Sequence, residues 1–175
     1  DENQYDGELP AEMVMRLSLA KAECETRAGD DVRIAADTTV ALDNQVLGKP
    51  GSAQEAARML RLLRAREHVV LTGLAVLDCR SRRVSHQLAV TPVRMRNYSD
   101  DEITSYVSSG DPMDKAGAYA IQNASFDPVA CIQGCYTNVV GLPLCHLYNA
   151  LTVLGIQVPV HPLCGCPWAR KGHCQ

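Results

Sequence analysis

Long apolar runs, an excess of positive charge and the common nucleotide-binding and hydrolase signatures are all missing from this sequence. No apolar stretch approaches the roughly 20 residues that a membrane-spanning helix needs, so no membrane partner is expected. A formal net charge of -3 and a pI near 5.9 leave no general basic field to hold a nucleic-acid polymer. The opening "DENQYDGELP" is acidic and polar, unlike a secretory signal or a transit peptide, and a cytoplasmic location is expected. There is no Walker loop, no G-x-S-x-G, no H-E-x-x-H and no G-x-G-x-x-G. Internal repeats and low-complexity tracts are absent as well.

What is present suits one folded domain. The 175 residues are 46% hydrophobic and 21% charged, enough for a sizeable core and far from the disordered classes. Eight cysteines lie unevenly, with Cys164, Cys166 and Cys174 crowded at the end, and buried thiols are expected rather than a disulfide framework.

After Pro10, Met13, Leu17, Ala20 and Cys24 recur at helical spacing until Gly29. "VRIAAD" then reads as a short buried strand and "TVALDNQVLG" as two short strands around an Asp43-Asn44 turn, which places Asp37 at a strand end. Ser52 with Glu55, and Ser99 with Glu102, are capping boxes that open two further helices. Between them, "HVVLTGLAVLDCRSRRVSHQLAVTPVRMR" has the pattern of a long hairpin. "GDPMDKAGAYAIQNASFDP" breaks all periodicity, "VACIQG" reads as a strand, and "LPLCHLYNALTVLG" as a last helix between Pro143 and Gly155. The predicted architecture is α/β: a mixed twisted sheet containing antiparallel pairs, with flanking helices. Residues 1 to 157 form the domain, and 158 to 175 a Cys/His-rich tail.

A carboxylate at a strand end can hold a cation or orient water, and a lysine can serve phosphate oxygens as a point charge. Asp37 and Lys49 flank the short hairpin, with Lys21 and Glu2 before it, yet spacing alone favours a turn-capping Asp37 and a solvated Lys49. In "DKAGAY", Asp114 and Lys115 precede small residues where backbone could approach a ligand closely. Gln122 offers donors and an acceptor that suit a nucleobase edge. His161, Cys164, Cys166, His173 and Cys174 are zinc-type donors, but C-x-C followed by H-C is not the paired C-x2-C form, so a reduced tail is favoured over a structural zinc.

Taken in order, "DE" at 1 to 2, "RLSLAKA" at 16 to 22, "AADTTV" at 35 to 40, "LGKP" at 47 to 50, "HVVLTG" at 68 to 73, "DKAGAYAIQ" at 114 to 122 and "NVVGLPL" at 138 to 144 resemble the Maf (septum-formation inhibitor) family of nucleoside triphosphate pyrophosphatases. The resemblance spans residues 1 to about 155 and implies a fold similar to the inosine-triphosphatase type. It implies hydrolysis of a nucleoside triphosphate to monophosphate and pyrophosphate with a divalent cation, Mg2+ or Mn2+, as nucleotide-pool house-cleaning, and it is compatible with a homodimer. "AADTTV" and "DKAGAYAIQ" are similar to the dTTP/UTP branch. By matching position, the resemblance makes Asp37 the general base or metal ligand and places Glu2 near the metal. Lys21 and Lys49 become phosphate contacts, Gln122 the base contact, and Thr38 and Lys115 belong to the binding motifs.

Two departures modify these expectations. In the family a strand, a serine- and arginine-bearing loop and a helix precede "DE", whereas this sequence begins at Asp1. A catalytically impaired nucleotide-binding module is therefore the alternative reading. Ala120 and Asn123 stand where the family usually has glycine, which bears on base fit.

Overall fold

A computed structural model describes residues 4 to 24 and 31 to 162. Helix α1 (Pro10–Glu23) starts where Pro10 supplies a preset φ and Glu12 accepts from the Leu9 amide at 2.9 Å. Its inward face is Met13, Val14, Leu17, Ser18 and Ala22. Ala20 and Cys24, expected on that face, are exposed, because the buried stripe follows Val14, Ser18 and Ala22 instead.

Strand β1 (Val32–Leu42) runs unbroken through Asp37 and turns at Asp43-Asn44 into β2 (Gln45–Leu47). Both turn residues have positive φ, 50° and 65°, as a two-residue hairpin requires. The expected break at Asp37 is thus corrected. β1 is one strand of 11 residues, and Asp37 lies in its middle. A carboxylate is tolerated there because α1 delivers an ammonium to it, as described below.

Helix α2 (Ala53–Leu63) begins with Ser52 accepting from the Glu55 amide at 3.2 Å. Glu55 does not close the expected box; its carboxylate takes the Gly51 amide at 2.8 Å. Strands β3 (Glu67–Asp78) and β4 (Val84–Met95) form the expected long hairpin. Helix α3 (Asp100–Ser108) has the complete Ser99/Glu102 box. Two 3-10 turns, Asp111–Asp114 and Ala116–Ala118, shape the aperiodic loop before β5 (Val129–Ile132). A five-residue helix α4 (Tyr136–Val140), too short to show a period, precedes α5 (Leu144–Val153).

The sheet order is β2-β1-β3-β4-β5, and every pairing among the described residues is antiparallel. The α/β class with flanking helices is as expected. Successive residues of β1 face opposite sides. On one side Ala41 and Leu71 pack under Met13, Val14 and Leu17 of α1. On the other, Val40, Leu42 and Val70 join α2, α3 and the aromatics Tyr98, Tyr106, Tyr119 and Phe126 in the main core. Further along this second side, Leu74 and Val76 pack with Ala150 and Leu154, flanked by Ala36, Leu147 and Leu151. Two separate apolar clusters thus cover one sheet face and leave a gap over Thr38 and Thr72.

Cys24, Cys79, Cys131 and Cys135 are thiols rather than disulfide partners, but the expected burial is corrected: Cys24 is exposed and the other three are half-buried. No helix among the described residues is long and apolar enough to cross a membrane. Glu2 and residues 163 to 175, hence Cys164, Cys166, His173 and Cys174, lie outside the described residues. His161, within them, packs against the Tyr148 ring at a centroid distance of 4.5 Å.

Candidate active site

The gap is a cleft of about 270 Å3 lined by Thr38, Lys49, Val70, Lys115, Tyr119 and Gln122, among others. Its floor is the sheet. Thr38 pairs in register with Thr72, and their hydroxyls meet at 2.8 Å. Thr38 Oγ1 donates to the Gly141 carbonyl at 3.2 Å, so Thr72 is the donor to Thr38. One wall is the turn from Val139 to Gly141. It is held by Asn138, fully buried, whose Nδ2 donates to the Val70 carbonyl and to Thr91 Oγ1 at 3.1 and 3.0 Å.

The opposite wall is the loop from Asp114 to Gln122. The Gly117 amide donates to the Gly48 carbonyl at 3.1 Å, which brings the "LGKP" and "DKAGAY" stretches together. Gly117 has φ of 69°, and a Cβ there would stand 3.1 Å from both Val40 methyls, so glycine is required. Ala118 follows at φ of 60°, a backbone conformation that needs support from its surroundings.

Lys115 Nζ donates to the Asp111 carbonyl and to Asp114 Oδ1, both at 2.7 Å. The Asp114 carboxylate, and that of Asp111 at 3.2 Å, raise its pKa, with the Asp114 hydrogen bond the larger cause, and keep it cationic at the cleft wall. Asp111 also accepts from Tyr106 Oη at 2.7 Å and Asn123 Nδ2 at 3.2 Å, and these bonds, led by Tyr106, lower its pKa. Beneath the cleft His68, 2% exposed, places Nε2 2.8 Å from Tyr119 Oη. Burial lowers the His68 pKa to about 4, so the ring is neutral at ordinary pH.

Asp37 lies one residue from Thr38 and therefore on the other face, under α1. Its Oδ1 accepts from Lys21 Nζ at 2.6 Å, with Asp37 only 14% exposed and Lys21 41%. Nearby, Arg16 grips Glu8 with two bonds of 2.6 and 2.8 Å and stacks 3.8 Å from the Tyr5 ring centroid. That pairing holds the Glu8 pKa down to about 2.

Of the residues singled out in the sequence, Thr38, Lys49, Lys115 and Gln122 converge on the cleft. Lys21 and Asp37 form a second pair across the strand. Lys49 lines the cleft with Thr38, whereas Asp37, the neighbour of Thr38 on β1, faces α1 on the other side of the sheet. Among the described residues no cluster of three or more His, Cys, Asp and Glu side chains assembles.

Residues 1 to 154 match a protein family described as Maf-like protein. The chain belongs to the Maf-like family. It is 43% identical over 159 residues to a dTTP/UTP pyrophosphatase of Pelotomaculum thermopropionicum, covering 90% of this chain and 83% of that protein. It is 44% identical over 156 residues to one of Geobacter metallireducens, covering 88% and 81%. A relative of the same name from Carboxydothermus hydrogenoformans is 45% identical over 147 residues, covering 83% and 79%.

Within this Maf-like chain, Thr72, Tyr119, His68, Asp111 and Asn138 all build the cleft and were not singled out in the sequence. Each lies in or beside a quoted stretch, yet reads as an ordinary strand or turn residue. Tertiary contacts give them a place: the register of β1 against β3 for Thr72, the His68–Tyr119 bond, the bonds of Tyr106 and Asn123 to Asp111, and those of Asn138 to Val70 and Thr91.

Proposed function

We propose that this chain hydrolyses the α–β phosphoanhydride of dTTP and UTP, releasing the monophosphate and pyrophosphate. The observation that carries this reading is the cleft at Thr38, where two lysines and a nucleobase-sized apolar hollow meet one residue from a carboxylate–lysine pair. The names of the relatives support it.

The hollow formed by Val40, Val70, Ile121 and Val139 suits a base, and Gln122 at its rim can both donate to and accept from a pyrimidine edge. Lys49 and Lys115 face the phosphates as point charges. β2 pairs only with residues 40 to 42 of β1, so among the described residues no strand covers the outer edge of β1 at Asp37 and Thr38. A triphosphate leaving the cleft crosses that edge and reaches Lys21 and Asp37. Lys21 occupies Asp37 Oδ1, and Oδ2 accepts no hydrogen bond among the described residues, so it is placed to take a proton from the attacking water. The leaving pyrophosphate gains charge that the lysines neutralise.

A divalent cation fits this site, because Mg2+ and Mn2+ favour carboxylate oxygens and are commonly held by one or two carboxylates together with substrate phosphates. Asp37, with Glu2, would hold it, and when bound it supplies charge neutralisation at the phosphates.

Pyrophosphate release from dTTP and UTP, compared with dCTP and the purine triphosphates in the presence of Mg2+ or Mn2+, tests the proposal. Turnover selective for dTTP and UTP is expected. Tight binding of dTTP by calorimetry with no product would replace it by a nucleotide-binding regulatory module.

A further inference from the structure

We propose that His68 is a positioning residue, which through its hydrogen bond to Tyr119 fixes the loop of residues 115 to 122 against the sheet and so sets the nucleotide-facing edge of the cleft. His68 does not itself line the cleft. It stands on β3, on the face that carries Val70 and Thr72, and lies edge-on to the Tyr119 ring at 80° and a centroid distance of 5.4 Å. Its Nδ1 is buried without a hydrogen-bond partner. Leucine or phenylalanine would fill this volume without an unpaired Nδ1 but would leave the buried Tyr119 hydroxyl without its partner, so it is that hydroxyl, and not packing, that accounts for histidine. What the imidazole supplies here is one nitrogen, and that nitrogen is spent on Tyr119.

Tyr119 is where the loop most needs support. Gly117 and Ala118 before it both have positive φ, and Ile121 and Gln122 after it face the ligand. The loop's other ties to neighbouring segments, Gly117 to Gly48 and the Ala120 amide to Tyr106 Oη at 3.1 Å, are single bonds to the stretch after β2 and to α3. Among the described residues, the His68–Tyr119 bond is the one hydrogen bond that ties this turn to the central strand β3. Without it the loop keeps its fold but loses its depth, and the base contact loosens while the groups at Asp37 stay in place.

The kinetic part of the test rests on the proposed dTTP/UTP hydrolysis; the exchange part does not. In His68→Leu and in Tyr119→Phe, KM for dTTP is expected to rise about tenfold, the worth of one good hydrogen bond, with kcat within about twofold. The double variant should be no worse than either single one. His68→Gln, which returns an amide nitrogen near the Nε2 position, should restore KM. Amide hydrogen exchange of the ligand-free protein should show faster exchange in residues 116 to 122 for the Leu and Phe variants, with β3 and β4 protected as before. A lower melting temperature with KM and loop exchange unchanged would overturn the proposal, as would additive effects in the double variant. If His68→Leu does not fold, Tyr119→Phe, which removes one hydroxyl, decides. If the unaltered protein hydrolyses no triphosphate, that failure belongs to the functional reading, and loop exchange decides the positioning role.

Discussion

Replacing Gly73 by alanine would set a methyl carbon 2.1 Å from the Val14 carbonyl oxygen, 2.5 Å from its carbon and 2.7 Å from Ser18 Oγ. Real Cβ contacts stay beyond 3.0 Å, so α1 must retreat from β3 by close to 1 Å. No rotamer change can absorb this, because the first obstacle is helix backbone. A gap of about 0.5–1 Å forfeits a quarter to a half of each dispersion contact beneath the helix, where Met13, Val14 and Leu17 meet Ala41 and Leu71. Overpacking of this kind destabilises by about 1–3 kcal/mol, and the helix-wide shift places Gly73→Ala near the upper end. At about 2–4 °C per kcal/mol for a chain of this size, the melting temperature should fall by about 6–12 °C. Gly73 also stands directly opposite Asp37 in the ladder, and α1 carries Lys21. The same retreat therefore stretches the 2.6 Å Lys21–Asp37 pair, and a misplacement of about 1 Å lowers turnover by about a hundredfold. Differential scanning calorimetry and dTTP pyrophosphate release on the same preparation measure both effects. Gly48→Ala, with no atom within 4 Å of its new methyl, is the control for stability. Melting within about 2 °C of the parent, well below the expected shift, together with full turnover would refute the close approach of α1 to the sheet.

Other expectations are more direct. Asp37→Asn should lower pyrophosphate release from dTTP by at least about a hundredfold while retaining nucleotide binding, and equal activity in this variant would remove Asp37 from the mechanism. Lys49→Met and Lys115→Met should each raise KM for dTTP by about tenfold, with a weaker dependence of KM on salt, as read from initial rates across an ionic-strength series. His68 binds its proton more weakly in the folded chain, at about 4, than the 6.5 of the free side chain, so the unfolded state carries more protons between those values. Stability should accordingly decline as pH falls from 6.5 toward 4, by up to about 3 kcal/mol from this group. Urea titrations of His68→Gln should show a shallower decline over the same range.

Much of the fold was legible in the sequence because its punctuation is local. Asp43-Asn44 marked one hairpin, Ser99 with Glu102 opened α3, and the two β-rich runs around Arg80 to Arg83 became β3 and β4. Asp37 misled for a physical reason. A charged residue between apolar neighbours looks like the end of a buried strand, but Lys21 comes from a helix distant in sequence to neutralise it, and the strand continues. The helical face of α1 was mistaken in part because alanine fits both faces of an amphipathic helix. As to the site, Thr38, Lys49, Lys115 and Gln122 were recovered through motif order, whereas the separation of Asp37 from them depends on strand parity across an unexpectedly long β1. Thr72, His68 and Tyr119 gave no local signal, since a threonine, a histidine and a tyrosine in β-rich or turn sequence are ordinary there.

The arrangement of β3 between β1 and β4 has a consequence for the order in which the molecule assembles. β3 and β4 close on each other across a short turn, Leu77 facing Val84, while β1 must find β3 across spans as long as that from Val32 to Asp78. Chain closure favours the nearer pairing, so the β3–β4 hairpin is the natural nucleus and β1 docks late. The Thr38–Thr72 floor, made only when β1 docks, is then acquired after the rate-limiting step. Disturbing it would hasten unfolding and leave the speed of folding almost untouched.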